Sequence, residues 1–343
     1  MAVRRALPRR AGRRTNLALL GLLLLAFATG VLAYGVGTPT AATVVVVTHG
    51  AAGLGLLLLV PWKSVIVGRS WPRAANTRAL ATGLGVLVVL TVLTGVLHAI
   101  GVAPLSMLLF HVGVAVCMAP LLVVHAWGRG QSPRRTDLSR RTLLKTGALA
   151  AGAAALWAAT EGALELTGAP GADRRGTGSL EHGTDDPTVM PVTQWFTDTV
   201  PDHPLDALTV VAGGRGTRIP ISALDRGDHV RAVLDCTGGW YAAQDWAGVR
   251  LDRLLGEMTG RNLPGGGSVD VVSRTGYRRR LPLRDASSLL LATSAAGAPL
   301  SDGHGAPVRL VAPGRRGFWW VKWVERVEVV DASWWRQPPF PLQ

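Results

Sequence analysis

Acidic residues are missing from the first 136 residues of this 343-residue chain, although thirteen Arg or Lys residues lie there. Asp137 is the first carboxylate. A soluble domain of that length would normally carry charges of both signs. A membrane domain with basic cytoplasmic loops would not, because charges inside hydrocarbon are costly. The absence therefore argues against a soluble N-terminal domain and favours a membrane-embedded one.

Cysteine is nearly absent as well. Cys117 lies in an apolar run and Cys236 in the more polar second half, so two cysteines cannot build a disulfide framework. The formal net charge of +14 is high. However, the basic residues flank apolar runs and do not form one face with interleaved aromatics, which argues against a nucleic-acid partner.

Four apolar stretches, near 16–36, 41–67, 79–100 and 105–127, are long enough to cross about 30 Å of hydrocarbon at about 1.5 Å per residue. They predict an all-α transmembrane bundle over residues 1–130, with membrane lipid as its surroundings. The first stretch is too long for a secretory signal and lacks a small-residue cleavage pattern, so we expect it to be retained.

The loop charges predict the orientation of these spans. The connections near 37–40 and 101–104 carry no charge, which places them on the outer side, and residues 128–145 are expected in the cytoplasm. The basic residues that flank the inner ends of the spans are Arg4, Arg5, Arg9, Arg10, Arg13, Arg14, Lys63, Arg69, Arg73, Arg78, Arg129, Arg134 and Arg135.

The segment Ser139–Lys145 reads SRRTLLK and precedes an apolar run over 146–168. It resembles a twin-arginine export signal placed internally. The alternative is a plain basic flank of a fifth span. Either interpretation makes 131–168 a linking transmembrane helix that carries the rest of the chain to the extracytoplasmic side of the cytoplasmic membrane. Residues 169–190, rich in Gly, Asp, Arg and Thr, predict a linker.

Residues 191–335 predict a second, β-rich α+β domain, because short apolar runs there are broken by turns. The predicted strands are 208–211, 232–234, 269–272, 308–311 and 327–330, and helical pieces are expected near 249–258 and 284–292.

The segment Leu234–Trp240 (LDCTGGW) places a cysteine at a strand end before two glycines, where backbone can approach a bulky ligand closely. Such a cysteine alone is more often a small buried residue. Further motifs follow in order: Ser273–Tyr277 (SRTGY), Gly305–Gly314 (GAPVRLVAPG) and Val321–Val324 (VKWV). Together they resemble the molybdopterin-binding domain of the sulfite oxidase family over roughly 190–332.

That resemblance implies a molybdenum–molybdopterin cofactor with the Cys236 thiolate as molybdenum ligand and catalytic centre, since soft thiolates suit such a metal. By position, the other cofactor-binding candidates are Gly238, Arg309, Arg315, Arg316 and Lys322. The arginine and lysine side chains among them are cations that suit a phosphate. Thr275 stands where many relatives have Asp, which leaves sulfite specificity open. The basic residues Arg274 and 278–280 either attract an anionic substrate or form an exposed basic strand.

Four histidines fall within or beside the spans: His49, His98, His111 and His125. His111 and His125 are fourteen residues apart, about 21 Å along one helix face, a spacing similar to that of membrane cytochromes b. Depth favours His49 with His111 as axial ligands of one haem b near the outer leaflet, with His98 as the reserve ligand. Alternatively, these histidines make interhelical hydrogen bonds.

The sequence thus predicts a membrane-anchored molybdopterin oxidoreductase that passes electrons between a small sulfite- or sulfoxide-like substrate and membrane haem b, with a quinone or redox protein as partner. Two alternatives stay open. The membrane part could only anchor the enzyme, or the second domain could be a metal-free binding or sensory module. A transporter is disfavoured, because only the histidines place polar groups at depth.

Overall fold

The computed structural model describes residues 12–71, 78–127, 134–195, 197–203, 205–224, 227–259 and 266–338. It divides into two compact units, a helical unit (Met1–Ala33 and Ala42–Gly178) and a sheet unit (Tyr34–Ala41 and Ser179–Gln343). Within the sheet unit, the Gly37 carbonyl accepts a 2.9 Å hydrogen bond from the Arg316 backbone N–H. The flanking arginines Arg4, Arg5, Arg9, Arg10, Arg73 and Arg129 lie outside the described residues.

The helical unit consists of long apolar helices. In the described part they are α1 (Arg13–Gly35), α2 (Pro39–Leu58), α3 (Val60–Ser70), α4 (Arg78–Ile100), α5 (Ser106–Trp127) and α6 (Arg140–Thr167). All but α3 are long and apolar enough to cross a membrane. Large apolar side chains face outward on them, for example Leu109 at 67% and Val89 at 63% exposure. Because water would make so wide an apolar surface unfavourable, these helices suggest a membrane protein.

The second apolar stretch does not form one helix over 41–67. Helix α2 ends at Leu58 and α3 begins at Val60. Pro61 lies in the first turn of α3, where its missing N–H leaves no hydrogen bond unmade and its ring cannot continue the preceding helix. The Lys63 N–H donates to the Leu59 carbonyl at 2.9 Å, which starts the new helix.

The fifth apolar helix begins earlier than 146. Ser139 caps α6 by accepting from the Thr142 N–H at 3.4 Å, so the arginine pair of the export-like motif forms the first helical residues. The segment after α6 is not a plain linker over 169–190. It folds into a 3-10 turn at Pro170–Asp173 and a short strand at Leu180–Glu181 that joins the sheet unit.

The sheet unit contains two sheets. Its strands are β1 (Leu180–Glu181), β2 (Ala207–Ala212), β3 (Arg215–Pro220), β4 (Asp228–Cys236), β5 (Trp240–Arg250), β6 (Ser268–Ser273), β7 (Arg278–Pro282), β8 (Leu290–Ala295), β9 (Ala298–Pro299), β10 (Arg309–Val311) and β11 (Val324–Val330). The first sheet has the order β1-β5-β8-β10, with β4 paired to β5 and β9 to β8. The second has the order β3-β2-β11-β6-β7. One α-helix, α7 (Leu251–Thr259), is described in this unit.

All five predicted strand segments overlap strands of the structure, at β2, β4, β6, β10 and β11. The helical prediction over 284–292 is wrong in its second half, where Leu283–Ser288 is a 3-10 turn and β8 begins at Leu290. Leu290 and Leu291 are buried between β5 and β10. A fully buried strand has no alternating pattern, so its continuous apolar run could not be told from a helix.

Glycine at position 50 permits close packing of α2 against α6, because a Cβ there would lie 1.9 Å from the Trp157 ring. We expect Gly50→Ala to destabilise the protein by about 1–3 kcal/mol through overpacking. Gly53→Ala is the matched control on the same helix, since nothing lies within 4 Å of its Cβ position. Thermal unfolding of detergent-purified protein, followed by tryptophan fluorescence, measures both. Equal midpoints for the two variants would contradict this packing.

Candidate functional site

Cys236 is presented by the β4–β5 hairpin. It is the last residue of β4 and pairs with Trp240, the first residue of β5. The three-residue turn between them closes through a 3.2 Å bond from the Gly239 N–H to the Cys236 carbonyl, and Gly239 has a φ of +87°. Three-residue hairpin loops commonly place glycine in this left-handed position. The turn therefore holds the thiol at the end of a rigid ladder.

The Cys236 sulfur has two polar neighbours. The Gly238 N–H donates to Sγ at 3.3 Å, and the Thr193 hydroxyl oxygen lies 3.2 Å from it. A Cβ at Gly317 would lie 3.1 Å from the Cys236 Cα, so backbone approaches the cysteine closely there. The half-buried thiol is thus positioned by contacts on several sides.

Three cations lie around this thiol, and two of them are almost fully buried. Arg309 is 1% exposed and Arg316 is 3% exposed. The buried carboxylate of Asp235 lies 3.6 Å from the Arg316 guanidinium and accepts a 2.8 Å bond from the Ser179 hydroxyl. Burial is the larger effect on Arg316 and lowers its pKa. The Asp235 carboxylate acts in the opposite direction and raises the pKa of Arg316.

Arg309 lies beside two neighbouring tryptophans. Its guanidinium lies 5.0 Å from the Trp246 ring centroid and 5.7 Å from that of Trp320, and Nη1 donates to the His304 carbonyl at 3.0 Å. Burial lowers the pKa of Arg309 to about 10, while Cys236 acts in the opposite direction. Among the described residues Nε has no hydrogen-bond partner. A buried guanidinium with an unused donor is suited to an anionic acceptor.

Lys322 is the third cation. Its ammonium donates to the carbonyls of Thr193 at 2.8 Å and Gly303 at 2.6 Å. The pKa of Lys322 is lowered to about 7, mainly by burial and to a smaller extent by repulsion from Arg309. The negative charges of Cys236 and Asp198 act in the opposite direction. Gly305, with a φ of +104°, lets the two cations approach, because a Cβ there would be 3.0 Å from the Lys322 Cβ.

The site therefore joins a soft sulfur ligand to an excess of buried positive charge. Burying unbalanced charge is costly, and an anionic group would relieve the cost. One further buried donor, Nε1 of Trp240 in the cysteine hairpin, has no partner in the part of the chain that the structure describes. Thiol, cations and unused donors together fit a phosphate-bearing metal cofactor.

The structure brings five of the sequence candidates together: Cys236, Gly238, Arg309, Arg316 and Lys322. Arg315 is engaged elsewhere. It lies 3.2 Å from the Asp285 carboxylate and stacks over Trp319 at 5.1 Å and Trp334 at 5.6 Å.

The arginines of 278–280 do not form a uniformly exposed basic strand. Arg279 is buried over Trp319 at 4.3 Å, and Arg280 forms an ion pair with Asp270 at 2.6 Å. Arg274 donates to the His203 carbonyl.

Sequence reasoning missed Thr193, which lies in a segment without regular secondary structure or a recognisable pattern. It also gave no role to Asp235, although that residue lies inside the cysteine motif. His304 was missed as well. Its ring accepts from the Ser301 hydroxyl at 2.8 Å and donates to the Met190 carbonyl at 3.1 Å, which fixes the loop that carries Gly303.

The helical unit contains a second constellation. The ring centroids of His49 and His111 are 5.9 Å apart, with planes at 87°. His49 Nδ1 lies 2.8 Å from the Ala26 carbonyl and His111 Nδ1 lies 2.9 Å from the Thr91 carbonyl, both on neighbouring helices. The expected interhelical hydrogen bonds are therefore present. They use only one nitrogen of each ring, which leaves Nε2 as the possible ligand atom.

Glycines flank this histidine pair. A Cβ at Gly30 would lie 3.2 Å from the His49 Cε1, and one at Gly95 would lie 3.0 Å from the His111 Cε1. His98, the reserve ligand, takes no part in the hydrogen bonds of His49 and His111. Its Nδ1 is buried without a partner among the described residues.

Comparison with known proteins identifies the sheet unit. Residues 222–337 match the family described as "Oxidoreductase molybdopterin binding domain". The chain is 36% identical over 142 residues to a nitrate reductase [NAD(P)H] of Hordeum vulgare, covering 35% of this chain and 16% of that protein. It is 29% identical over 153 residues to the mitochondrial sulfite oxidase of Drosophila melanogaster, covering 40% of this chain and 25% of that protein.

Among solved structures, the sulfane dehydrogenase SoxCD from Paracoccus pantotrophus aligns at 23% identity with a TM-score of 0.34, over 42% of this chain and 41% of that one. The chain thus spans a quarter or less of the length of these two curated relatives. The family match, the relatives and the site agree on one assignment. The sheet-rich part of this chain contains a molybdopterin-binding domain like that of sulfite oxidase, and this match implies a molybdenum–molybdopterin cofactor.

Proposed function

We propose that this protein is a membrane-anchored molybdenum oxidoreductase of the cytoplasmic membrane. Its catalytic domain would face the extracytoplasmic side and exchange electrons between a small sulfite- or sulfoxide-like substrate and a haem b in the helical unit. The observation that carries the proposal is the Cys236 thiol beside the buried arginines Arg309 and Arg316 and the half-buried Lys322. The described residues also include five helices long and apolar enough to span a membrane.

Within the sheet unit, Cys236 would bind molybdenum, and Arg309 and Lys322 would hold the phosphate of the pterin. The bound cofactor supplies the redox chemistry of the substrate. The Trp246 and Trp320 rings shield the Arg309 guanidinium from water, which strengthens its attraction for an anion. A bound phosphate would raise the pKa of Lys322, because a nearby negative charge favours the ammonium form.

The haem proposal rests on His49 and His111. These two imidazoles lie close enough together that both could serve as ligands of one haem iron. Their ring centroids are 5.9 Å apart. The Nδ1 bonds to backbone carbonyls would orient both rings, as outer-shell partners do for metal-bound histidines. Haem iron would make the helical unit an electron carrier and not an anchor alone.

The orientation follows from the loop charges and the SRRTLLK motif at Ser139–Lys145. Export in a folded state would suit a domain that acquires its cofactor in the cytoplasm. A quinone in the membrane or a separate redox protein would complete the electron path. The competing function is a binding or sensory module on a membrane anchor, which would need no metal.

Molybdenum content separates these two functions. We expect about one molybdenum per chain in detergent-purified protein from a host that makes the cofactor, measured by mass spectrometry. Cys236→Ser should lose most of it, since the thiolate ligand is removed, whereas Cys117→Ser should keep it. Wild-type protein without molybdenum would favour the metal-free module.

Haem content tests the helical unit. Reduced-minus-oxidised spectra of the purified protein should show b-type absorption, and His49→Leu or His111→Leu should each abolish most of it by removing one axial ligand. His125→Leu should leave it unchanged, and His98→Leu tests the reserve ligand. If the His49 and His111 variants keep wild-type spectra, the haem assignment is wrong.

Lys322 should make the stability of the cofactor-free protein depend on pH. Its pKa is about 7 when folded and 10.5 when free, so between these values the unfolded chain binds the extra proton. Stability therefore rises with pH over this window, by at most about 1.4 kcal/mol per pH unit. Denaturant unfolding at pH 7 to 9 should show this slope, and Lys322→Met should flatten it. An unchanged slope in the variant would disprove the burial effect.

A further inference from the structure

The segment that contains Thr193, described at residues 191–195 and 197–199, passes beside Cys236, the proposed molybdenum ligand. It has no regular secondary structure and lies outside the matched residues 222–337. Thr193 is its contact residue, with the hydroxyl oxygen 3.2 Å from the Cys236 sulfur and its Cγ2 3.6 Å from the Cβ position of Gly238.

Two contacts fix the backbone of this segment. The Lys322 ammonium donates to the Thr193 carbonyl at 2.8 Å. Val192 packs against Gly303, where a Cβ would lie 2.8 Å from the valine Cγ1. A β-branched side chain on a fixed backbone has few rotamers, so the hydroxyl of Thr193 is held toward the sulfur. Thr193 thus connects the half-buried Lys322 to the Cys236 thiol.

We propose that the Thr193 hydroxyl donates a hydrogen bond to the Cys236 thiolate and thereby raises the reduction potential of the metal that this sulfur binds. Thr193 is in this sense a positioning and tuning residue, and the inference rests on the proposed function. A metal-bound thiolate has no proton, so it can only accept, which makes the hydroxyl the donor.

The direction of the effect follows from charge. The Gly238 N–H at 3.3 Å and the Thr193 hydroxyl at 3.2 Å would both withdraw electron density from the sulfur. A less electron-rich sulfur donates less to the metal, which stabilises the reduced state relative to the oxidised one. Hydrogen bonds to metal-bound sulfur are among the established determinants of reduction potential.

The test is a redox titration of molybdenum, followed by electron paramagnetic resonance, in the purified full-length protein. Thr193→Val keeps the shape and removes the hydroxyl, and Thr193→Ser keeps the hydroxyl. Thr199→Val makes the same change on an exposed residue of the same segment. We expect Thr193→Val to shift the one-electron equilibrium about tenfold toward the oxidised state. The midpoint potential of molybdenum would then be about 59 mV more negative than in the wild type. Thr193→Ser and Thr199→Val should match the wild type.

Several outcomes would overturn the inference. A wild-type midpoint in Thr193→Val, or an equal shift in Thr193→Ser, would show that the hydroxyl has no such effect. Thr193→Ala is the second variant without a hydroxyl, and loss of molybdenum from both it and Thr193→Val would make Thr193 a structural residue only. Wild-type protein without molybdenum would refute the proposed function together with this inference. Molybdenum that is retained in the wild type and lost in Cys236→Ser, with unshifted midpoints, would refute the inference alone.

Discussion

An excess of positive charge around the Cys236 thiol is the constraint on which this site depends. Arg309 and Lys322 are held within the fold with carbonyls and aromatic rings as their neighbours, and Asp235 balances only Arg316. Burial of a charge without a partner costs several kcal/mol, so the fold must gain by binding an anion. The left-handed glycines at 239 and 305 are needed because they let the cysteine hairpin and the two cations converge on one site.

A related constraint applies within the helical unit. A histidine at membrane depth must satisfy its ring nitrogens within the protein, because lipid offers no hydrogen bonds. His49 and His111 each do so through Nδ1 and a carbonyl of the adjacent helix. This arrangement leaves one nitrogen per ring for iron, so the interhelical bonding and the haem interpretation are compatible. In the proposed enzyme, buried polar groups of each unit would hold a redox centre.

The sequence allowed the prediction of those features that have a local pattern. The Cys236 motif, Arg309 and Lys322 could be predicted as site residues because the cysteine–glycine turn and the later basic positions follow a recognisable order, and the structure places them near one another. The break at Pro61 was missed because hydropathy continues across it, and the exposed strand Arg215–Pro220 was missed because it has no apolar alternation. Arg315 and Arg316 could not be told apart, since only the local backbone directs one to Asp285 and the other to Asp235. Thr193 was missed because its role depends on a long-range contact.

X-ray absorption at the molybdenum edge tests the central claim most directly, because it counts the sulfur atoms bound to the metal. The cofactor would contribute its own dithiolene sulfurs, and Cys236 would add one more ligand from the protein. In the small fraction of Cys236→Ser protein that keeps molybdenum, we expect one sulfur ligand fewer than in the wild type, with the Cys117→Ser spectrum unchanged. An equal number of sulfur ligands in the wild type and Cys236→Ser would contradict the assignment of Cys236 as the protein ligand.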